Sequence, residues 1–202
     1  HHAAEQTLFA ATIGRLAGRR PLRQGRLPAA WQPAGPSRMS EDPPFWRQKR
    51  LAEMTAEEWE SLCDGCGRCC LVKLEEEESD NIYYTDVGCR LLNLDSCRCR
   101  NYSTRGEQVD DCVQLTPSVV DEIGWLPPTC AYRLIDEGKD LYWWHPLVSG
   151  DPATVHAAGV SVRGRVTKLE DEVSAEALDD RIVDWPLRWP KGTKRRPRAK
   201  VG

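Results

Sequence analysis

Leu51, Met54, Trp59 and Leu62 recur at spacings that share one face of a helix, and Thr55-x-x-Glu58 among them has the form of a capping box. The pattern predicts a helix over 51–62 that delivers Cys63 at its end, with Gly65 as its stop. Pro43-Pro44-Phe45-Trp46 opens the ordered region before it. Leu71-Val72-Lys73-Leu74 reads as a short strand or turn, and Ile82-Tyr83-Tyr84-Thr85 as a strand, because β-branched and aromatic residues suit a half-buried pleat. The acidic run Glu75 to Asp80 between them is a solvated loop; it lacks the alternation and glycine of a calcium loop. Thr116-Pro117 is an N-cap with proline at the first helical position, which predicts a short helix over 118–123 ending near Gly124. Trp125-Leu126-Pro127-Pro128 is extended, and Thr129 caps a helix over 130–137 that Gly138 stops. Val160, Val162 and Val166 alternate within 159–166 and predict a strand. A longer helix is predicted over 170–183, followed by Trp185 and Trp189. No internal repeat is present. The expected class is α+β: predominantly short helices with few strands in a small irregular domain.

A chain of 202 residues is one domain with tails. Eight tryptophans against two phenylalanines and two methionines imply a core short of aliphatic bulk, completed by tryptophan packing and by cross-links. No stretch approaches the roughly 20 apolar residues of a membrane span. Charge divides the chain more sharply. The first 38 residues carry +5 and the last twelve +6, so a net charge of −3 leaves 39–190 at −14. An acidic body repels phosphate, which argues against nucleic acid as its partner. Residues 1–38 read as a disordered or mis-started leader before a natural start at Met39, or as an Arg-rich transit peptide; 191–202 reads as a basic disordered tail. No apolar stretch with a small-residue cleavage site marks a secretory signal.

The chemistry lies in nine cysteines: Cys63, Cys66, Cys69, Cys70, Cys89, Cys97, Cys99, Cys112 and Cys130. Four fall in Cys63-Asp-Gly-Cys66-Gly-Arg-Cys69-Cys70, two successive Cys-x-x-Cys steps spaced by glycines that let the backbone turn. An odd count and close spacing favour metal-binding thiols in a reducing cytoplasm over disulfides. The opening resembles a ferredoxin run, but its fourth position departs, since Cys70 follows Cys69 directly and no Cys-Pro occurs. Adjacent cysteines are expected to diverge, one of them serving another ligand set. Spacing does not separate zinc from iron, because both accept four thiolates. His145, between Trp144 and Pro146, is the non-cysteine ligand candidate, set against a structural histidine beneath tryptophan. Arg105 and Arg133 are candidates to neutralise a thiolate cluster, set against ordinary surface ion pairs.

The segment Glu58-Trp-Glu-Ser-Leu-Cys-Asp-Gly-Cys-Gly-Arg-Cys-Cys-Leu71 resembles the YcgN-like proteins of bacteria, part of a broader group with a C-x2-C-x2-C-C signature. Cys89-Arg-x-Leu92, Cys97-x-Cys99-x2-Tyr102, Asp111-Cys112, Trp125-Leu-Pro-Pro-Thr-Cys-Ala-Tyr-Arg-Leu134 and Trp144-His-Pro-Leu-Val-Ser-Gly150 extend the likeness from Pro44 to Trp185. Cys63, Cys66, Cys69, Cys70, Cys89, Cys99 and Cys112 match the broader pattern, and Cys97 and Cys130 the narrower subgroup. The resemblance implies a zinc- or iron-chelating domain over 39–190, a bacterial cytoplasmic setting and no established activity. The leading expectation is a metal-binding protein whose cysteines hold zinc, iron or an iron–sulfur cluster and so organise the fold. The alternatives are an iron–sulfur redox enzyme or electron carrier, and a metal chaperone or thiol sensor.

Overall fold

The computed structural model describes residues 42–77, 79 and 81–194; the expectations for 1–38 and for most of 191–202 lie outside the described residues. After the short helix α1 (Phe45–Gln48), the helix expected over 51–62 is broken in two. Leu51–Glu53 makes one 3-10 turn, and α2 runs over Ala56–Ser61. The capping box is the cause of the break. Thr55 Oγ1 accepts the Glu58 N–H at 3.2 Å while the Glu58 carboxylate accepts the Thr55 N–H at 2.9 Å. That geometry holds Thr55 extended (φ −67°, ψ 166°), so no helix passes through it.

Strand β1 (Leu71–Glu75) and strand β2 (Ile82–Gly88) form an antiparallel hairpin, each slightly longer than expected. Leu71 opposes Gly88 but Lys73 opposes Tyr84, so β2 spends four residues where β1 spends two. The buried Thr85 hydroxyl donates to Val72 O at 2.9 Å across this irregularity and satisfies a carbonyl that the ladder leaves over. Two further strands pair on the other edge of β2. Strand β3 (Lys168–Leu169) runs parallel to Val87–Gly88, and strand β4 (Ile182–Val183) antiparallel to Tyr84–Thr85.

Between the hairpin and these strands lie helices of four to six residues: α3 (Arg105–Gln108), α4 (Pro117–Glu122), α5 (Ala131–Asp136), α6 (Pro146–Ser149) and α7 (Thr154–Ala157). Thr116 caps α4 as expected, accepting the Val119 N–H at 3.3 Å. Cys130, rather than Thr129, is the N-cap of α5. Thr129 is buried and gives its hydroxyl to a tertiary contact instead. The result is an α+β domain dominated by short helices.

Two expectations fail for one reason: distant partners take the backbone and side chains that a local element needs. Residues 159–166 are buried at Val160, Val162 and Val166 but form turns, not a strand. Gly159 and Gly164 sit in the left-handed region, and the Val162 N–H donates to Cys66 O at 2.8 Å. The helix expected over 170–183 is instead three 3-10 turns, Glu170–Glu172, Ala175–Ala177 and Asp179–Arg181, followed by β4. Glu172 accepts the Leu169 N–H at 2.7 Å, Glu170 accepts the Arg90 N–H at 3.1 Å, and Arg181 pairs with Asp86 at 2.7 Å. These contacts favour tight turns and extended backbone at Val173 and Ser174.

The core has three adjoining parts. Leu51, Leu62, Val120, Leu126, Tyr132 and Leu141 pack with Trp59; Leu71, Tyr84, Leu92, Cys97, Val162 and Val166 pack behind the hairpin; and Trp144, Val155 and Val160 surround Cys66. Arg68 joins these parts. Its side chain is fully buried, donating from Nε to Val160 O at 2.6 Å and from Nη1 to Pro186 O at 2.9 Å, Arg188 O at 3.1 Å and Thr129 Oγ1 at 3.3 Å.

Arg68→Lys is therefore expected to destabilise the chain by about 3 kcal/mol or more in urea unfolding at matched metal content, because one ammonium cannot reach carbonyls on both 160 and 186–188 and each buried acceptor left open costs ~1–3 kcal/mol. Stability within about 0.5 kcal/mol of the parent, inside the usual range for surface changes, would show that those carbonyls find other donors.

Candidate metal centre

The C-terminal end of α2 hands the chain to the cysteine loop, and Asp64 shapes its first step. The Asp64 side chain is buried, and its Oδ1 accepts the Cys66 N–H at 2.9 Å, an Asx-type turn. Gly65 (φ 73°) and Gly67 (φ 76°) take left-handed conformations that let the loop reverse between thiols. At Gly67 a Cβ would lie 2.9 Å from Val162 Cγ2 and 3.2 Å from Cys97 O, so the backbone approach there also requires glycine. Arg68–Cys70 then forms a 3-10 turn that leads into β1. The sulfurs of Cys69 and Cys70 do not diverge; they lie 3.9 Å apart. Two ligands of one tetrahedral ion would have nearly that separation, about 3.8 Å for metal–sulfur bonds of ~2.3 Å.

Mutual electrostatics group the thiols. Burial, then the neighbouring Cys69 and Asp64, pushes Cys63 up to about 12. Cys66 is raised by burial, Asp64 and Cys69. Within the Cys69–Cys70 pair, Cys69 is held low by the hydrogen bond from Cys70, with Lys73 helping, and Cys70 is raised in return, with Cys63 and Cys89 adding repulsion. Cys130, at the start of α5, is raised by burial and feels Cys69 and Asp64. Cys89 and Cys112 are raised first by burial; Cys112 and Cys99 add to the first, Cys99 and Cys69 to the second. Cys63, Cys66, Cys70 and Cys130 thus feel Cys69 electrostatically, and Cys89 and Cys112 feel Cys99. Cys97 is placed differently. It packs in the core behind the hairpin in a left-handed conformation (φ 56°), and after burial the groups acting on it most strongly are Arg163 and Ser161.

All nine cysteines are free thiols, a donor set whose chemistry suits zinc or iron. Convergence is less complete than the chemistry: among the described residues, no group of three or more His, Cys, Asp or Glu side chains is drawn together tightly enough to hold a metal ion.

Two cations flank the thiols, and the sequence alone drew no attention to either. Arg68 is the first. Lys73 is the second: half-buried on β1, it donates to Cys69 O at 2.7 Å and Leu71 O at 2.9 Å, with its ammonium 4.3 Å from the Trp125 ring centroid and 5.3 Å from that of Tyr84. Among the described residues neither cation is paired with a carboxylate. Their only sequence signal is position, Arg68 inside a Cys-x-x-Cys step and Lys73 between apolar strand residues. The arginines singled out earlier behave otherwise. Arg133 pairs with Glu137 at 2.7 Å, whereas Arg105 lies over the Tyr102 ring and pulls down the Cys112 thiol against its burial.

His145 has no lone pair to give a metal. It is buried, its Nδ1 accepts the Leu147 N–H at 3.1 Å, and its Nε2 therefore carries the proton and donates to Leu62 O at 3.0 Å. It is a structural histidine beside Trp144. In the acidic run, Glu75 at the end of β1 and Glu76 and Glu77 after it are exposed.

Comparison with known proteins agrees with this picture. A family model described as "Putative zinc- or iron-chelating domain" and named for its CxxCxxCC signature matches residues 62–131, a span that contains all nine cysteines. A UPF0260 protein of Rhodopseudomonas palustris (strain HaA2) is 62% identical over 154 residues, covering 76% of this chain and 91% of the relative. A UPF0260 protein of Rhizobium etli (strain CIAT 652) is 66% identical over 146 residues, covering 72% and 92%. One from Nitrobacter hamburgensis is 58% identical over 167 residues, covering 81% and 98%. No solved structure matches. With such identity over nearly the full length of these relatives, the chain belongs to the bacterial UPF0260 family, whose members share the cysteine-signature domain.

Proposed function

We propose that this chain is a cytoplasmic metal-binding protein in which residues 39–190 use cysteine thiolates to hold zinc or iron. The observation that carries the reading is the pair of cations beside the loop. Arg68 is removed from water and Lys73 half so, and neither meets a carboxylate among the described residues. A buried charge without a partner is costly. Neutral thiols repay little of that cost, while thiolates repay much of it. The charges that favour the Arg68 guanidinium against its burial begin with Cys66, and those that favour the Lys73 ammonium begin with Cys69 and Cys70. Arg68 at Cys66 and Lys73 at Cys69 thus offset part of the burial that opposes anionic sulfur, the form in which cysteine binds metals.

On this reading Cys63, Cys66, Cys69 and Cys70 supply the loop ligands, Cys130 lies beside them, and Cys89, Cys99 and Cys112 complete or extend the set. Asp64 fixes the Cys66 amide, and Lys73 and Arg68 balance thiolate charge. Bound zinc would add a structural cross-link, and iron or an iron–sulfur cluster would add redox chemistry. Nine free thiols support a reducing compartment such as the bacterial cytoplasm.

The chain purified without oxygen is expected to carry a stoichiometric amount of zinc or iron by elemental analysis, with absorption near roughly 400 nm if the metal is an iron–sulfur cluster. Cys66→Ser should lose most of that metal and melt at a lower temperature. A metal-free parent, with Cys66→Ser melting at the same temperature, would end this reading.

Lys73→Met keeps the volume between Tyr84 and Trp125 but removes the charge. It should leave the chain folded while weakening metal binding by about tenfold or more in competition with a chelator, the usual scale for a group that supports the ligands. Undiminished affinity would assign Lys73 to packing alone.

A further inference from the structure

A cleft of about 310 Å³ opens beside the Cys63–Cys66 loop, and its chemistry differs from that of the thiols. Its polar lining is Asp64, Ser96, Arg98, His156 and Arg163, with Gly65 in its wall. The Arg98 guanidinium lies directly against Gly65, where a Cβ would come within 2.7 Å of Nε and 2.8 Å of Cζ. Glycine at 65 is thus what admits Arg98 to the cleft. Arg163 is anchored by one edge, its Nε donating to Asp95 O at 2.6 Å. Among the described residues neither arginine forms an ion pair.

Two lining residues also carry buried polar atoms that meet no partner, Asp64 Oδ2 and His156 Nδ1. Asp64 is only 4% exposed, so its open oxygen is not satisfied by bulk water. Buried polar atoms without partners are rare in folded proteins, and each needs an explanation. Burial and then the nearby Arg163 and Arg98 hold His156 below its ordinary range, so its imidazole is neutral and offers one donor and one acceptor. The cleft is therefore lined by two guanidinium groups, a hydroxyl and a neutral imidazole, with the Asp64 Oδ2 closed to solvent. Its volume is at the small end of ligand sites.

We propose that this cleft binds a small organic anion, its carboxylate or phosphate gripped by Arg98 and Arg163. Guanidinium groups match the geometry of both oxyanions. The occupant is a small molecule, because 310 Å³ does not admit a folded partner. The inference does not rest on the metal-binding reading, although the same loop borders both features.

The test uses the full, 15N-labelled chain with whatever metal it carries, titrated at fixed ionic strength with inorganic phosphate and, in parallel, with succinate. Saturable amide shifts centred on Asp64, Gly65, Ser96, Arg98, His156 and Arg163 are expected with at least one probe. Preference for phosphate identifies a phosphoryl ligand, and preference for succinate a carboxylate. The double variant Arg98→Gln, Arg163→Gln should lose about tenfold or more in affinity at unchanged metal content, the scale of a lost charged hydrogen bond. Arg98→Gln alone, which alters an exposed side chain, serves if the double variant does not fold. The proposal is overturned if neither anion gives saturable shifts, if the shifts fall on the basic 191–202 segment instead, or if the folded variant binds as the parent does.

Discussion

The burial of Arg68 is the constraint on which the rest of the structure depends. A guanidinium removed from water must find acceptors; Nε and Nη1 find them on Val160, on Thr129 and on Pro186 and Arg188, three segments far apart in the chain, while Nη2 has none among the described residues. The cysteine loop is thereby tied to both the 160–166 turn and the C-terminal Trp185–Leu187 turn. The Val162 N–H to Cys66 O bond and the close approach at Gly67 reinforce the first tie. The guanidinium also lies 5.7 Å from the Trp185 ring centroid, which Arg165 approaches at 4.8 Å. A chain made of helices four to six residues long has little stability of its own in each element, since short helices are marginal in water. Contacts of this kind, together with the tryptophan-lined core, do what longer elements do elsewhere.

The same constraint sets the electrostatics of the thiols. Burial disfavours every charged form, so it raises the cysteines and lowers Arg68 and Lys73 together. Each set resists ionisation alone, and each favours the other once ionised. Cations and thiolates are therefore interdependent. Cys69, where the Cys70 hydrogen bond and Lys73 act together, is where that balance tips first towards the anion. Cys97 stands outside it. Its left-handed backbone costs of order 1 kcal/mol for a non-glycine residue, offset by burial against Leu71, Tyr84 and Val162.

How far the sequence spoke depended on whether a signal was local. The Thr55 and Thr116 caps, the separate strand runs at 71–74 and 82–85 and the stop at Gly138 were legible because residues close in sequence determine them, whereas the pairing of the two strands was not read. Even there, the Thr55 capping box implied that no helix could begin at Leu51, a conflict visible in the pattern itself. The turns at 159–166 and 170–183 were not legible, because Cys66, Asp86 and Arg90 decide them from far along the chain. The cysteine spacing announced a chelating loop. It did not reveal that Cys69 and Cys70 point together, that Thr129 abandons its cap for Arg68, or that His145 spends both nitrogens on backbone.

Asp64 shows why the loop has two sides that cannot vary independently. One carboxylate oxygen fixes the Cys66 amide and so places a thiol, while the other is buried without a partner in a residue that borders the cleft. Gly65 has the same double duty: its left-handed turn carries the chain from Cys63 towards Cys66, and its missing Cβ leaves room for Arg98. Any group that pulls on Asp64 Oδ2 acts on a side chain already hydrogen-bonded to the backbone of a buried cysteine. The Asp-Gly pair between the first two cysteines is thus a shared part, and its chemistry is constrained from both sides by geometry that no single one of its contacts requires.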